Sequence, residues 1–410
     1  MPVADAIREA LGSQSMIRKM FEEGTLLKKQ YGADKVFDFS LGNPDLEPPP
    51  AFHRVLLKLA KEDKKGSHGY MANGGYPQVR EALARKASDE QGVQLDGSNL
   101  VMSCGAAGAL NVVFKSILNP GDEVIVSRPY FMEYRPYAQN HGGRIVEVES
   151  LPDFGLDVGA IKAALSAKTA AVLINSPHNP TGRIYSRETI TGLAEVLEEH
   201  GRNCGRMPYL VSDEPYRELV YDGALVPPIL SAYSESIVVS SYSKSLSLPG
   251  ERIGYIAVNP DIKDKENLMG ALIYATRILG FVNAPALMQR IVSELTYAKV
   301  DIGIYERRRA AFIAILDKVG IEYAKPEGAF YLFCKVPGRK HGIMAAGPEA
   351  DAMGAAADDK AFVDHLKQHL ILGVPGSGFG KPLWLRFAYC VDEKIIRASE
   401  EAFIKAMGSW

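Results

Sequence analysis

"SIVVSSYSKSLSLPGERIGYIAV", residues 236–258, sets a single lysine, Lys244, among hydroxyls and between two apolar runs. Each run is short, rich in β-branched residues and bounded by turn formers, the pattern of a strand buried on both faces. Lysine rarely occupies such a position without a partner, and desolvation makes its amine a nucleophile toward carbonyls. Ser241 and Ser243 precede it, and Arg252 follows eight residues on, so an anion would find hydroxyls and a positive charge nearby.

The same texture repeats outward from this stretch. Between about residues 52 and 295, the runs "NLVMS", "EVIVS", "AAVLI", "YLVSD" and "GYIAV" alternate with helical stretches such as "YPQVREALARKASDEQG", "GALNVVFKSIL" and "ETITGLAEVLEEHG". This alternation predicts an α/β fold with a mostly parallel mixed sheet sandwiched by helices. Beyond residue 295 the strands thin out, which predicts a smaller α/β domain. The expected organisation is a large domain over 51–295 and a small one built from the N-terminal arm, 1–50, together with 296–410. The arm reads as an amphipathic helix through Ile17, Met20, Phe21 and Leu27, broken by "FDFSLGNPDLEPPP". Residues 337–360, which take in the Ala- and Gly-rich "GRKHGIMAAGPEADAMGAAADD", lack periodicity and read as a surface insertion, either disordered or a lid. "EKIIRASEEAFIKAM" reads as one closing helix.

Composition narrows the partners. The 410 residues are 47% hydrophobic and 23% charged with a net charge of -2, an ordinary soluble balance with no global field for nucleic acid or an anionic membrane. No apolar stretch reaches membrane-spanning length, and the charged opening residues do not resemble a signal peptide. Four cysteines without CxxC spacing fit a reducing compartment, and the expectation is a cytoplasmic protein.

Ligands of open α/β sheets gather at the carboxyl ends of the strands, so the residues that follow each run are the candidates for chemistry. "NLVMS" leads into Gly105-Ala106-Ala107-Gly108 at a helix start, where bare N–H groups and the helix dipole favour an anion. No nucleotide P-loop is present, and "GSGFG" at 376–380 precedes a strand, so it reads as a turn; a single phosphate is the expected anion. "AAVLI" leads into a turn holding Asn179, and "YLVSD" ends on Asp213 with Tyr216 close behind. Taken singly, Asn179 fits a turn and Asp213 fits a helix cap or a salt bridge. Taken together, an aldehyde-reactive lysine, an anion cradle and a carboxylate able to meet a ring cation describe a pyridoxal 5'-phosphate site.

These residues stand in the order of a known family. "SLGNPD", "YMANGGYPQVREAL", "GAAGAL", "RPYFMEY", "NSPHNPTG", "SDEPY", "SYSKSLSLPGERIGY", "PEGAFY" and "LRFA" span nearly the whole sequence. Together they make it resemble the class I aminotransferases, the aspartate aminotransferase-like branch of fold-type I pyridoxal phosphate enzymes. The resemblance implies that Lys244 binds the cofactor and then shuttles a proton, and that Asp213 pairs with the ring nitrogen. It gives Asn179 and Tyr216 to the phenolic oxygen and Phe131 to the ring face. Gly105, Ala106, Ala107, Ser241, Ser243 and Arg252 would surround the phosphate. Tyr70 would be lent to the phosphate of a neighbouring subunit, which implies a homodimer with shared sites. Arg386 would clamp the substrate α-carboxylate, with Gly42 and Asn179 beside it.

The implied reaction is a ping-pong transfer of an amino group from an L-amino acid to a 2-oxo acid. Phe131 stands where many dedicated aspartate enzymes of the family have tryptophan, so aspartate, alanine, glutamate, aromatic and broad specificity all stay open. Arg277, in "YATRILGFVNAP", is one residue out of register with an arginine that reads a distal carboxylate from the partner subunit. A pyridoxal phosphate β-lyase acting on β-substituted amino acids is the alternative. A regulator on this fold would carry an N-terminal helix-turn-helix, which is not expected in a sequence that opens on the arm. His365 and His369, four residues apart, suit a solvated helix face better than a metal, and His178 is read as shaping its turn.

Overall fold

A computed structural model describes residues 3–5, 7–8, 16–338 and 350–410. Its strands, in chain order, are β1 (Phe37–Asp38), β2 (Leu100–Ser103), β3 (Glu123–Arg128), β4 (Arg144–Glu149), β5 (Thr169–Asn175), β6 (Tyr209–Asp213) and β7 (Ser236–Ser241). They continue with β8 (Gly254–Val258), β9 (Tyr323–Ala324), β10 (Tyr331–Lys335), β11 (Ile371–Leu372), β12 (Val374–Pro375) and β13 (Trp384–Ala388). Seven form one sheet in the order β2-β8-β7-β6-β5-β3-β4, with β8 running against the rest.

Helices cover both faces of this sheet, which is why its strands read as unbroken apolar runs. Alternate residues serve opposite cores. Val172, Ile174 and Val238 pack with Leu83 of the Pro77–Gln91 helix and Leu193 of the Arg187–Cys204 helix. Ala171, Leu173, Ile237 and Val239 pack with Leu110 and Phe114 of the Gly105–Ile117 helix. All seven residues of β5 are buried. Each fully enclosed Leu or Ile stabilises the sandwich by about 2 kcal/mol.

Strand register lines up the polar ends. Asn175 pairs with Asp213 across β5 and β6, while Ser103 and Ser241 flank Gly254 at the start of β8. A second, antiparallel sheet has the order β12-β13-β10-β9, and β1 pairs in parallel with β11. Around them Phe39, Phe312, Phe330, Phe333, Phe387 and Phe403 form a separate aromatic core.

One expectation gains detail and another is corrected. Within the stretch 337–360, the residues from Ala350 on are helical: a helix runs from Ala350 to Gln368, since alanine favours helix without amphipathic periodicity. Residues 339–349 of that stretch lie outside the described residues. The closing helix is two, Glu393–Ala398 and Glu400–Ser409. Buried Ser399 lies between them, its hydroxyl donating to the Ile396 carbonyl at 2.6 Å, a side-chain bond that competes with helix continuation. Among the described residues no helix is long and apolar enough to cross a membrane.

Candidate active site

A cavity of about 460 Å³ lies at the carboxyl ends of the central strands. Lys244 enters it from the four-residue helix Tyr242–Ser245 that follows β7. Its Nζ donates to the Gly42 carbonyl at 2.7 Å and lies 5.3 Å from the centre of the Phe330 ring. Enclosure by protein pulls its pKa down to about 8; the Cys390 thiol opposes this, and the Arg386 and Arg252 charges add to it. Gly42 is confined, because a Cβ there would collide with the Tyr331 hydroxyl.

Asp213 ends β6 and is buried. One oxygen, Oδ2, accepts a hydrogen bond from the Tyr134 hydroxyl at 2.6 Å; the other, Oδ1, is buried with no partner. Burial pushes this carboxyl up to about 7, the Tyr134 bond holds it back, and Glu214 pushes it further. Asn175 ties the neighbouring loop to this strand: its Nδ2 donates to the Asp213 carbonyl at 2.7 Å, and its Oδ1 accepts from the Asn179 N–H at 2.7 Å. An unpaired buried carboxylate oxygen is costly, and a cationic N–H from a ligand would satisfy it.

Another part of the cavity lining suits an anion. Ala106 and Ala107 line it from the first turn of the Gly105–Ile117 helix, whose cap, Cys104, offers no side-chain hydrogen bond to the free N–H groups. Gly105 has φ +73°, and a Cβ there would come within 2.7 Å of the Arg252 guanidinium. Arg252 has φ +51° and donates to the Pro249 carbonyl at 2.8 Å. Ser241 and Ser243 line the cavity beside it.

Arg386 arrives from β13 and is buried. It donates to Asn179 Oδ1 at 3.0 Å and to the Ser40 carbonyl at 2.7 Å, and its Nε has no partner. The guanidinium is 4.4 Å from the Tyr331 ring centre and 4.8 Å from that of Phe379, an aromatic clamp that fixes the fork. The Tyr331 and Tyr216 hydroxyls share a hydrogen bond of 2.8 Å. Phe131 meets Tyr134 edge to face at 5.5 Å.

Gly42, Ala106, Ala107 and Phe131 thus share one cavity with Asn179, Asp213, Tyr216, Ser241, Ser243, Lys244, Arg252 and Arg386. Gly105 stands behind the wall, against Arg252. Tyr70 does not reach the cavity of its own chain and is 92% exposed. Arg277 is exposed in the last turn of the Lys265–Ile278 helix, also away from the cavity. His178 is buried, with Nδ1 2.9 Å from the Thr181 hydroxyl, and burial lowers its pKa to about 3. His365 bonds the Ala406 carbonyl at 2.9 Å, and no group of three or more metal-ligating side chains occurs among the described residues.

The sequence reading missed Tyr134, Asn175, Tyr331, Tyr137 and Glu133, all in the cavity wall. Position could have found two of them: Asn175 is the last residue of its apolar run, and Tyr134 follows Phe131 by three in "RPYFMEY".

Sheet order and cavity define a fold-type I transferase, and the comparisons agree. The family model "Aminotransferase class I and II" matches residues 34–401. The aspartate/prephenate aminotransferase of Thermus thermophilus is 30% identical over 387 residues, 93% of either chain. The probable aspartate/prephenate aminotransferase of Aquifex aeolicus is 31% identical over 88% of either chain. Among solved structures, an amino transferase from Eubacterium rectale superposes with a TM-score of 0.90 at 37% identity, covering 99% of this chain and 98% of that one. Thermus thermophilus aspartate aminotransferase with maleate gives 0.84 at 26%, covering 99% and 100%. The chain belongs to the class I and II aminotransferases, and it is an aminotransferase enzyme.

Proposed function

We propose that this aminotransferase binds pyridoxal 5'-phosphate and passes an amino group from an L-amino acid to a 2-oxo acid in two successive half-reactions at Lys244. The observation that carries the reading is the partnerless, buried Asp213 Oδ1 in the same cavity as the Lys244 amine. That oxygen fits a protonated pyridine nitrogen, and the helix start at Ala106 fits the phosphate, so the residues suit the cofactor.

When bound, the cofactor supplies an electron sink that makes a substrate Cα–H acidic. Asp213 would hold the ring nitrogen protonated, and Tyr134 fixes which of its oxygens is free. Asn179 gives its Oδ1 to Arg386, which leaves its Nδ2 for the phenolic oxygen beside Tyr216. Ala106 and Ala107 N–H groups, the Ser241 and Ser243 hydroxyls and Arg252 would hold the phosphate, with Gly105 giving Arg252 room. Phe131 would cover one ring face. Arg386 would take the substrate α-carboxylate as a bidentate pair and set Cα near Lys244. A lysine with a pKa near 8 is partly neutral at physiological pH, so it can accept the Cα proton and return it. Tyr70, unused in its own chain, is available to the phosphate of a second copy, which supports a homodimer with shared sites.

Single-turnover assays test this. Each productive amino acid, mixed with the loaded protein and no acceptor, yields one equivalent of its 2-oxo acid per site and then stops; a second 2-oxo acid restarts turnover. Continuous release of pyruvate and ammonia from a β-substituted alanine, without such a stoichiometric stop, would assign the lyase reaction instead.

A further inference from the structure

One charged group in the cavity wall has no task in the reading above. Glu133 lines the cavity beside Phe131, Tyr134 and Tyr137, and it is half-buried. It caps the short helix Tyr134–Gln139 without a side-chain bond to it. Among the described residues its carboxylate has no hydrogen bond and no ion pair, although arginines stand near it in the sequence. Arg135, its neighbour but one, is paired with Glu147, and Arg128 is paired with Glu149. The cavity's own cations are committed as well: Lys244 to the Gly42 carbonyl, Arg252 to the Pro249 carbonyl, and Arg386 to Asn179 and Ser40. The Glu133 charge is felt at Tyr137, whose hydroxyl is pushed up to about 12 by burial first and Glu133 next.

We propose that Glu133 reads the distal end of the substrate side chain, and that it selects an amino acid whose chain ends in a cation or hydrogen-bond donor over one that ends in a carboxylate. The inference rests on the proposed function, since Arg386 must hold the α-carboxylate for the side chain to point toward this wall. With that carboxylate fixed, Leu41, Leu110, Phe131 and Tyr137 offer the side chain an apolar and aromatic sleeve, and Glu133 is the charged group in it without a partner. A distal carboxylate would be placed in this sleeve facing a like charge and no free cation of its own chain, which disfavours it by far more than in water. A distal ammonium would satisfy Glu133 as it is desolvated.

Binding of unreactive acids to the loaded holoenzyme, followed by calorimetry, separates this from the underlying reading. Succinate presents a second carboxylate, 4-guanidinobutanoate presents a terminal guanidinium that does not condense with an aldehyde, and both offer Arg386 a carboxylate. The expected result is that 4-guanidinobutanoate binds at least tenfold more tightly than succinate, and that Glu133→Gln narrows this ratio at least tenfold while Glu133→Asp retains most of it. Tighter binding of succinate by the wild type, or a ratio that Glu133→Gln leaves alone, overturns the proposal even though carboxylate binding stands. If neither acid binds, and wild type and Arg386→Ala behave alike, the carboxylate site itself is refuted and the proposal falls with it.

Discussion

The Tyr134 hydroxyl donates to one oxygen of the Asp213 carboxylate at 2.6 Å and leaves the other oxygen, buried, for a ligand. The bond also restrains a carboxyl that burial alone would push higher than about 7. Tyr134→Phe therefore raises the pKa of Asp213 and weakens pyridoxal phosphate binding by about tenfold, the size of one hydrogen bond to a charged group. A pH series of absorbance titrations checks it. Affinity in the wild type should rise as pH rises through about 7, because the ionised carboxylate is the form that pairs with a ring cation. The same rise should fall at higher pH in the variant.

Gly105 combines φ +73° with the Arg252 guanidinium 2.7 Å from where a Cβ would be. Gly105→Ala adds about 1–2 kcal/mol of backbone strain and displaces the arginine. The expected outcome is at least a tenfold loss of affinity for the phosphorylated cofactor and a smaller loss for its unphosphorylated form, pyridoxal, both read by equilibrium titration.

Arg386 places its guanidinium over the rings of Tyr331 and Phe379 and spends two hydrogen bonds on Asn179 and Ser40. A lysine keeps the charge and loses the fork. Arg386→Lys should lower kcat/KM for every amino acid by about a hundredfold, with cofactor absorbance retained. A loss confined to one class of side chain would place Arg386 away from the α-carboxylate.

Behind the cavity, three carboxylates, Glu90, Glu214 and Glu218, share two cations, Lys86 and Arg217. Glu90 is pushed up from 4.5 to about 7 by burial, with Lys86 and Arg217 pulling the other way. A carboxyl whose pKa is raised on folding contributes its stability in full below about 4.5 and loses it as pH rises through 7. Glu90→Gln should remove a decline on the order of 2 kcal/mol between pH 5 and pH 8. Urea unfolding at the two pH values measures it: relative to wild type, the variant should be more stable at pH 8 than at pH 5. Equal pH dependence in both proteins would contradict the assignment.

Much of the fold was legible because the central strands are buried on both faces and so announce themselves as apolar runs. The polar residue that ends each run marked the site for the same reason: Asp213 and Lys244 stand at the carboxyl ends of adjacent strands. Contacts between distant segments were not legible. Tyr134 is 79 residues from Asp213, and nothing local shows that its hydroxyl points there. "KAFVDHLKQHLIL", from Lys360, reads as helix, but the part of the Ala350–Gln368 helix before it was missed because alanine lends propensity without the periodic pattern that was sought. Ser399 sits mid-pattern in a sequence that would otherwise continue as helix, and only its back-bond to Ile396 shows the break.

The central claim is that Lys244 carries the cofactor. Borohydride reduction of the protein loaded with pyridoxal phosphate, followed by peptide mapping, tests it without reliance on turnover. The account predicts one cofactor mass per chain on the peptide containing Lys244, and its loss together with the visible absorbance in Lys244→Ala. Label on another lysine, or an unchanged spectrum in the variant, would contradict it.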